Sequence, residues 1–168
     1  MKSLFSAYGT SGVITLPLYT NGTENVSWVL GIDNQSGLGF GSSVNTYTEG
    51  ASFITLKIVN EPTGFITSDL SSVTNATVNL TGYKRVVIDW EVISGGSFSL
   101  IVSTEKFDDI TVFDAKADYG AGTGRKTTSL AINALSGSYY VRVNARSVTS
   151  APSTSNIEIR IHKVWLEK

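Results

Sequence analysis

Four stretches in the second half of the chain alternate apolar and polar residues. They are LTGYKRVVIDWEV at 80–92, FSLIVST at 98–104, SGSYYVRVNARS at 136–147 and NIEIRIHKVWL at 156–166. A period of two residues is that of a β-strand with one face buried and the other in solvent. Gly, Ser, Asn and Thr fill the segments between them, as is typical of turns. The pattern predicts an all-β fold, an antiparallel β-sandwich.

The alternation also predicts which side chains face the core. The inward sets are Val86, Ile88, Trp90 and Val92 in the first stretch, and Phe98, Leu100 and Val102 in the second. The residues between these stretches, 94–97 (SGGS), predict a hairpin turn. In the last stretch Ile161 and Val164 fall on opposite parities, so we expect a bulge near His162–Lys163. Trp165 lies in this patterned stretch, and we predict that it packs in the core or between the sheets, as Trp90 does.

The first half of the chain has fewer strand signals. Val13–Tyr19 is a candidate strand, and Pro17 predicts an edge position because proline cannot donate to a neighbouring strand. Phe53–Val59 is a second candidate. We interpret residues 21–50 and 106–128 as long connections. The first holds a short apolar stretch around Trp28–Ile32, and the second holds a candidate short strand at Ile110–Phe113. Long connections in small domains often carry function or cover a sheet edge.

Length and composition limit the classes of protein to consider. The chain has 168 residues, and we interpret residues 1–168 as a single β-sandwich domain. Its 13 basic and 14 acidic residues give a net charge of −1, so we expect neither a nucleic-acid partner nor a membrane partner. The absence of cysteine excludes disulfides, thiol nucleophiles and cysteine zinc sites. No apolar run approaches the ~20 residues of a membrane span, which predicts a soluble protein.

No residue pattern favours catalysis. His162 is the only histidine and lies within a strand pattern, without the G-x-S-x-G context of a serine hydrolase. Asp89 and Glu91 share a strand face and leave open a hydrolase that uses a carboxylate pair. Arg85 lies on the same face, however, and a solvated charge cluster that includes an Arg85–Asp89 pair is the better explanation of these residues. We therefore predict no catalytic residues.

Four aspartates in the second long connection raise the question of calcium. Asp108, Asp109, Asp114 and Asp118 supply enough oxygen ligands for Ca²⁺. They lack the spacing of a helix–loop–helix calcium site, and aspartate also serves turn geometry in surface loops. We predict no metal site and no cofactor, and a structural calcium at these positions stays open.

Four aromatic residues lie in or beside loops rich in Asn, Gly and Ser: Trp28, Tyr47, Phe65 and Tyr119. An exposed ring beside amide and hydroxyl groups suits a sugar, whose apolar face stacks on the ring while its hydroxyls form hydrogen bonds. We therefore take Trp28, Tyr47 and Tyr119 as candidate ligand-binding residues. The alternative is that these rings fold back and close the ends of the sandwich.

Several segments resemble a known family. They are LPLYTNGTE at 16–24, VSWVL at 26–30, NLTGYKRVVIDWEV at 79–92, SLIVSTEKFD at 99–108 and LSGSYYVRVNARS at 135–147. In order and spacing they are similar to the C-terminal domains of tail, baseplate and fibre proteins from phages of Gram-positive bacteria. The final strand is also similar to that of jelly-roll carbohydrate-binding modules. The resemblance implies a jelly-roll fold and a non-catalytic role on the virion or outside the cell.

The resemblance leaves three roles open. The first is attachment to host cell-wall glycan. The second is assembly of the virion without glycan binding, through other virion proteins or as a homo-oligomer, for which we expect a trimer. The third is that of a carbohydrate-binding module in a secreted bacterial enzyme.

Overall fold

The computed structural model describes residues 13–38, 41–106, 113–120 and 122–168, which form β-strands and no helix. In chain order the strands of these ranges are β1 (Thr15–Thr20), β2 (Thr23–Glu24), β3 (Trp28–Leu38), β4 (Ser42–Glu49), β5 (Ile54–Glu61), β6 (Phe65–Thr74), β7 (Val78–Asn79), β8 (Arg85–Ser94), β9 (Ser97–Ser103), β10 (Ala115–Tyr119), β11 (Gly124–Ala131), β12 (Ser138–Ser150) and β13 (Ser155–Glu167). Within these ranges, no helix has the length and apolar character to cross a membrane.

The strands form two antiparallel sheets that enclose one hydrophobic core. The seven-stranded sheet has the order β11-β8-β13-β1-β2, with β5 also beside β13 and β4 beside β5. The six-stranded sheet has the order β10-β9-β12-β6-β3, with β7 also beside β12. Most of the buried apolar residues of both sheets belong to a single cluster. The antiparallel β-sandwich predicted from the alternation is confirmed.

The core uses the side chains that the period of two selects. The four predicted inward residues of β8 are at most 3% exposed, and the three of β9 are at most 1% exposed. The rings of Trp90 and Phe98 meet across the core with their centroids 3.7 Å apart. Burying such large apolar side chains contributes about 1.5–3 kcal/mol each, so this contact between the sheets is a main source of stability.

The turn between β8 and β9 does not form the predicted hairpin. β8 lies in the seven-stranded sheet and β9 in the six-stranded sheet, so the turn crosses from one sheet to the other. A hairpin would place the apolar sides of both strands on the same sheet face. The crossover instead sets these sides against each other, and each covers the other from water.

The pairing of the last part of β13 confirms two predictions about the backbone. The register with β8 shifts between Ile161 and Lys163, which confirms the bulge. Pro17 lies opposite Trp165, and on its other side β2 pairs only with Tyr19 and Thr20, so the predicted edge position is also confirmed.

The prediction that Trp165 packs in the core is wrong. The bulge restores Val164 and Leu166 to the inner face, where both are fully buried. Trp165 therefore lies on the outer face, half-buried, and its Nε1 donates to Glu167 Oε1 at 2.8 Å. The parity change that the bulge introduces applies to every residue that follows it.

Two segments without a strand prediction contain long strands. Residues 21–50, interpreted as a connection, contain β3 and β4 at neighbouring edges of the two sheets, where Asn45 Nδ2 donates to Asp33 Oδ1 at 2.7 Å. β6 lies between β12 and β3. Its residues Ser68 and Ser72 face the other sheet and are fully buried, so the strand lacks an apolar alternation.

The second predicted connection, 106–128, contains β10 and the first part of β11. Of the candidate strand Ile110–Phe113, residues 110–112 lie outside the described residues, and Phe113 belongs to no strand.

Candidate functional site

The outer face of the six-stranded sheet carries a continuous group of polar side chains. Every second residue of β6, β9, β10 and β12 points away from the core. Strand register places Asp118 opposite Ser99, Ser99 opposite Asn144, and Asn144 opposite Ser71. Two residues further along β12 and β6, Arg146 lies opposite Asp69. We call this group the polar face; it consists of Asp69, Ser71, Ser99, Asp118, Asn144 and Arg146.

Asp69 is the centre of the polar face. Asn144 Nδ2 donates to Asp69 Oδ1 at 3.0 Å, and Arg146 Nε lies 3.9 Å from the same oxygen. Asn144 is fully buried, and its Oδ1 has no hydrogen-bond partner among the described residues. The cluster thus presents the guanidinium donors of the partly exposed Arg146, whereas the Asn144 oxygen is buried.

A second carboxylate, Asp118, lies three strands from Asp69 in the sheet order. Asp118 accepts a hydrogen bond from the Ser99 hydroxyl and pairs with Lys116 Nζ at 3.1 Å. Partial burial raises the pKa of Asp118, but the Ser99 hydroxyl and the Lys116 ammonium outweigh it, so the pKa lies below its usual value. Asp118 is therefore a carboxylate at neutral pH and can only accept hydrogen bonds.

The polar face has a buried floor and an exposed rim. Ser71 and Asn144 are fully buried, and Ser99 and Asp69 are 6% and 8% exposed. The side chains of Arg146 and Asp118 remain 40% and 66% exposed. Because all of these groups sit on strands, the rim charges are held in fixed positions over a rigid floor.

Two exposed phenylalanines border the polar face. Phe65 begins β6 with the same parity as Asp69, and it is 47% exposed. Phe113, just before β10, is equally exposed. Lys116 of β10 places its Nζ 5.7 Å from the centroid of the Phe113 ring. Such rings offer apolar stacking surfaces at the margins of a hydrogen-bonding floor.

The prediction of an exposed Trp28 is wrong. The residue begins β3 opposite Thr74 and is 1% exposed, with Nε1 buried and without a partner among the described residues. The segment around Trp28 has Gly and Asn neighbours typical of a loop, but pairing with β6 makes it a strand and turns the indole into the core.

Tyr47 and Tyr119 are half-buried and pack against the core. The Tyr47 hydroxyl donates to Glu49 Oε1 at 2.7 Å. Burial, and to a smaller extent the nearby Glu49 carboxylate, raises the pKa of Tyr47. The Tyr119 ring stacks on Phe98 at a centroid distance of 4.8 Å, and its hydroxyl donates to the Ser129 carbonyl. The structure brings neither residue onto the polar face, and their contact with a ligand stays a prediction.

The aspartates considered for calcium are not brought together in the described part of the chain. Asp114 Oδ2 accepts from the Thr104 amide at 2.8 Å, and Asp118 is held by Ser99 and Lys116. Asp108 and Asp109 lie outside the described residues. Within residues 13–38, 41–106, 113–120 and 122–168, no three His, Asp or Glu side chains form a group suited to a metal.

The carboxylates considered for hydrolysis lie on the opposite side of the molecule, on the outer face of the seven-stranded sheet. Asp89 accepts two hydrogen bonds from Arg125, at 2.9 and 2.7 Å. Glu91 lies 3.3 Å from His162 Nε2. The predicted partner of Asp89 was wrong, because Arg85 instead pairs with Glu167 at 2.7 Å. Asp89 and Glu167 are thus each held by an arginine, and Glu91 lies beside an imidazole.

Phe65 and Asp69 were not among the predicted site residues. Phe65 belonged to the group of loop aromatics, and its exposure distinguishes it from the other three. Asp69 had no local signal, since its partners Asn144 and Arg146 are more than 70 residues away in the sequence.

Comparisons with known proteins agree with the fold. No family model and no curated protein matches the chain. Among solved structures, the glycoside hydrolase domain of Endo-D from Streptococcus pneumoniae R6 matches with a TM-score of 0.52 at 13% identity, over 83% of this chain and 21% of that one.

Two further solved structures are less similar. A carbohydrate-binding module of family 29 matches with a TM-score of 0.45 at 13% identity, over 92% of this chain and 88% of that one. The enzymatically active domain of tailspike protein 4 from bacteriophage CBA120 matches with a TM-score of 0.47 at 11% identity, over 91% and 21%. This chain thus spans about a fifth of the Endo-D and tailspike structures. At these identities the likeness concerns the β-sandwich fold alone.

Proposed function

We propose that this chain is a non-catalytic domain that binds carbohydrate on the polar face. The observation that carries the proposal is the Asp69–Asn144–Arg146 cluster on a rigid sheet surface beside the exposed Phe65. Sugar hydroxyls donate and accept hydrogen bonds, and the cluster offers the Asp69 carboxylate as an acceptor together with the guanidinium donors of Arg146. The Phe65 ring offers an apolar surface for the C–H face of a sugar ring.

The ionisation of the polar face supports binding without catalysis. A glycoside hydrolase needs one carboxyl group with a raised pKa to protonate the leaving oxygen. The pKa of Asp118 is shifted in the opposite direction, and Asp69 faces a guanidinium and an amide donor. Asp118 is therefore not held protonated, as a general acid of this kind would have to be.

The biological setting is a finer proposal, supported by the sequence resemblance alone. We propose that the domain acts outside the cell, on the virion of a phage of Gram-positive bacteria, and attaches it to host cell-wall glycan. Incubation of the protein with purified Gram-positive cell walls measures this directly, because attachment depletes it from solution. Assembly as a trimer is the alternative role, and light scattering would then give three times the 18.0 kDa mass of one chain.

Glycan arrays followed by calorimetry test the carbohydrate site. With the tightest-binding neutral oligosaccharide of the array, we expect Phe65→Ala and Arg146→Gln each to weaken affinity about tenfold, as for central contacts of an interface. Val44→Ala is the matched control, since Val44 is 59% exposed on the other sheet. Binding equal to that of the unmodified protein in both polar-face variants would overturn the proposal.

A further inference from the structure

At one end of the sandwich a cleft of about 510 Å³ adjoins the polar face. Its walls are the turn between β8 and β9, the last part of β12 and the segment that enters β13. We call it the end cleft and define it by the lining residues used below: Gly96, Arg146, Val148, Thr149, Thr154 and Asn156. Its volume lies within the range typical of small-molecule sites.

The turn that forms one wall is closely packed. Gly96 has a φ of +135°, and a Cβ atom there would lie 2.3 Å from Ile157 Cδ1. Only glycine allows the turn to approach Ile157 so closely. Ile157 is 2% exposed and belongs to the core, so this wall of the end cleft is attached directly to a rigid part of the molecule.

The remaining walls combine polar groups with one apolar side chain. Thr149 and Thr154 contribute hydroxyls, and the exposed Asn156 contributes an amide. Val148 is 55% exposed and provides an apolar surface. This composition suits a hydroxylated ligand with an apolar side, which is the character of a sugar ring.

Among the described residues that line the end cleft, Arg146 is the one with a charged side chain. Its 3.9 Å separation from Asp69 is at the limit of an ion pair, and its side chain is 40% exposed. A guanidinium has five N–H donors in a planar array that matches a carboxylate or phosphate group. The described lining of the end cleft thus holds one cation and no carboxylate, and the acidic neighbours of Arg146, Asp69 and Asp118, belong to the polar face.

We propose that the end cleft binds a negatively charged substituent of the glycan, so that the ligand is an acidic saccharide with its anionic group on Arg146. This inference rests on the proposed function and specifies its ligand class. Neutral parts of the same chain would lie over the polar face, and a carboxylate or phosphate group would enter the end cleft.

Nuclear magnetic resonance of the full chain labelled with ¹⁵N tests the inference with three probes: glucose, glucuronate and glucose 6-phosphate. We expect the amide signals of Gly96, Thr154 and Asn156 to shift with the charged probes and not with glucose. The titrations with glucuronate and glucose 6-phosphate show whether the end cleft binds a carboxylate or a phosphate group more tightly.

Asn156→Asp adds a carboxylate to the end cleft with almost no change in size. We expect it to weaken binding of the charged probes about fivefold, the scale of a partly exposed charge pair. The matched control is Asn133→Asp, an equivalent change in an exposed turn after β11, which should leave binding unchanged.

The outcomes separate this inference from the proposed function. The end cleft would be overturned as an anion site by any of three results. Glucose could shift the amide signals as much as the charged probes do, or no signal of the end cleft could shift. Alternatively, Asn156→Asp could bind the charged probes as tightly as the unmodified protein. The Phe65→Ala result on neutral oligosaccharides decides the proposed function separately, because Phe65 does not line the end cleft.

Discussion

The outer faces of the two sheets use charge in different ways. On the seven-stranded sheet, acidic and basic side chains pair at short range, as in Arg85–Glu167 and Arg125–Asp89, both at 2.7 Å. On the six-stranded sheet, Asp69 and Arg146 are 3.9 Å apart, and the buried Asn144 retains an acceptor without a partner among the described residues. The first face thus holds these two carboxylates in close ion pairs, although the buried Nε of Arg160 on the same face has no hydrogen-bond partner among the described residues. On the second face the Arg146 guanidinium is more loosely held and remains partly exposed, and this difference supports the proposed site.

The largest expected effect is the loss of Asp69. In Asp69→Ala, Asn144 loses the acceptor of its buried amide, and we expect the free energy of unfolding to fall by about 2 kcal/mol, the cost of an unsatisfied buried group. Urea denaturation measures it. The control Asp89→Ala removes a carboxylate from the other face, where Arg125 remains free to turn to water, and should cost less. Equal losses in the two variants would contradict the distinction between the faces.

A smaller effect concerns salt. Double-mutant cycles give the coupling between Asp69 and Asn144 on one face and between Asp89 and Arg125 on the other. At about 1 M salt the Debye length is roughly 3 Å, so coupling between the exposed charges should decrease. The buried hydrogen bond to the Asn144 amide should keep its coupling. Parallel decreases in both cycles would show that the polar face is as solvated as its counterpart.

The smallest effect is the pH dependence due to Asp118. Its pKa is lower in the folded chain than its ordinary value of 3.8, so its charged form contributes stability above that value. The contribution is lost as the pH falls through the lowered pKa. We therefore expect the unmodified protein to exceed Asp118→Asn slightly in unfolding free energy at pH 6, with the difference closing in acid. A difference that grows as the pH falls would contradict the direction of the shift.

Much of the sandwich could be predicted from local sequence because a strand alternates its side chains regardless of its partners. β8 and β9 follow this rule, with Trp90 and Phe98 in the core as the period requires. The bulge near His162 was also predictable, because two apolar runs of opposite parity cannot share one face without an extra residue. The same bulge implies that Trp165 points outward. The sequence therefore contained the information needed to place Trp165 on the outer face, although we predicted a core position.

The candidate site was less predictable because its strand is polar on both sides. Ser68 of β6 faces the core and donates to Asn60 Oδ1 at 3.0 Å, and Asn60 Nδ2 donates to Ser147 at 2.9 Å. These partners come from different strands, 8 and 87 residues from Asn60. A polar residue in the core is tolerated only when it has such hydrogen-bond partners, and no local sequence pattern predicts which residues they are.

By itself, the sequence determined that this chain forms strands and which residues of the apolar strands face inward, since both follow from the two-residue period of the extended backbone. Tertiary structure alone decided which strands pair, that β8 and β9 belong to different sheets, and that Asp69, Asn144 and Arg146 meet on one face. The reason is physical: strand pairing depends on hydrogen bonds and burial between residues far apart in the chain, whereas alternation depends only on neighbours.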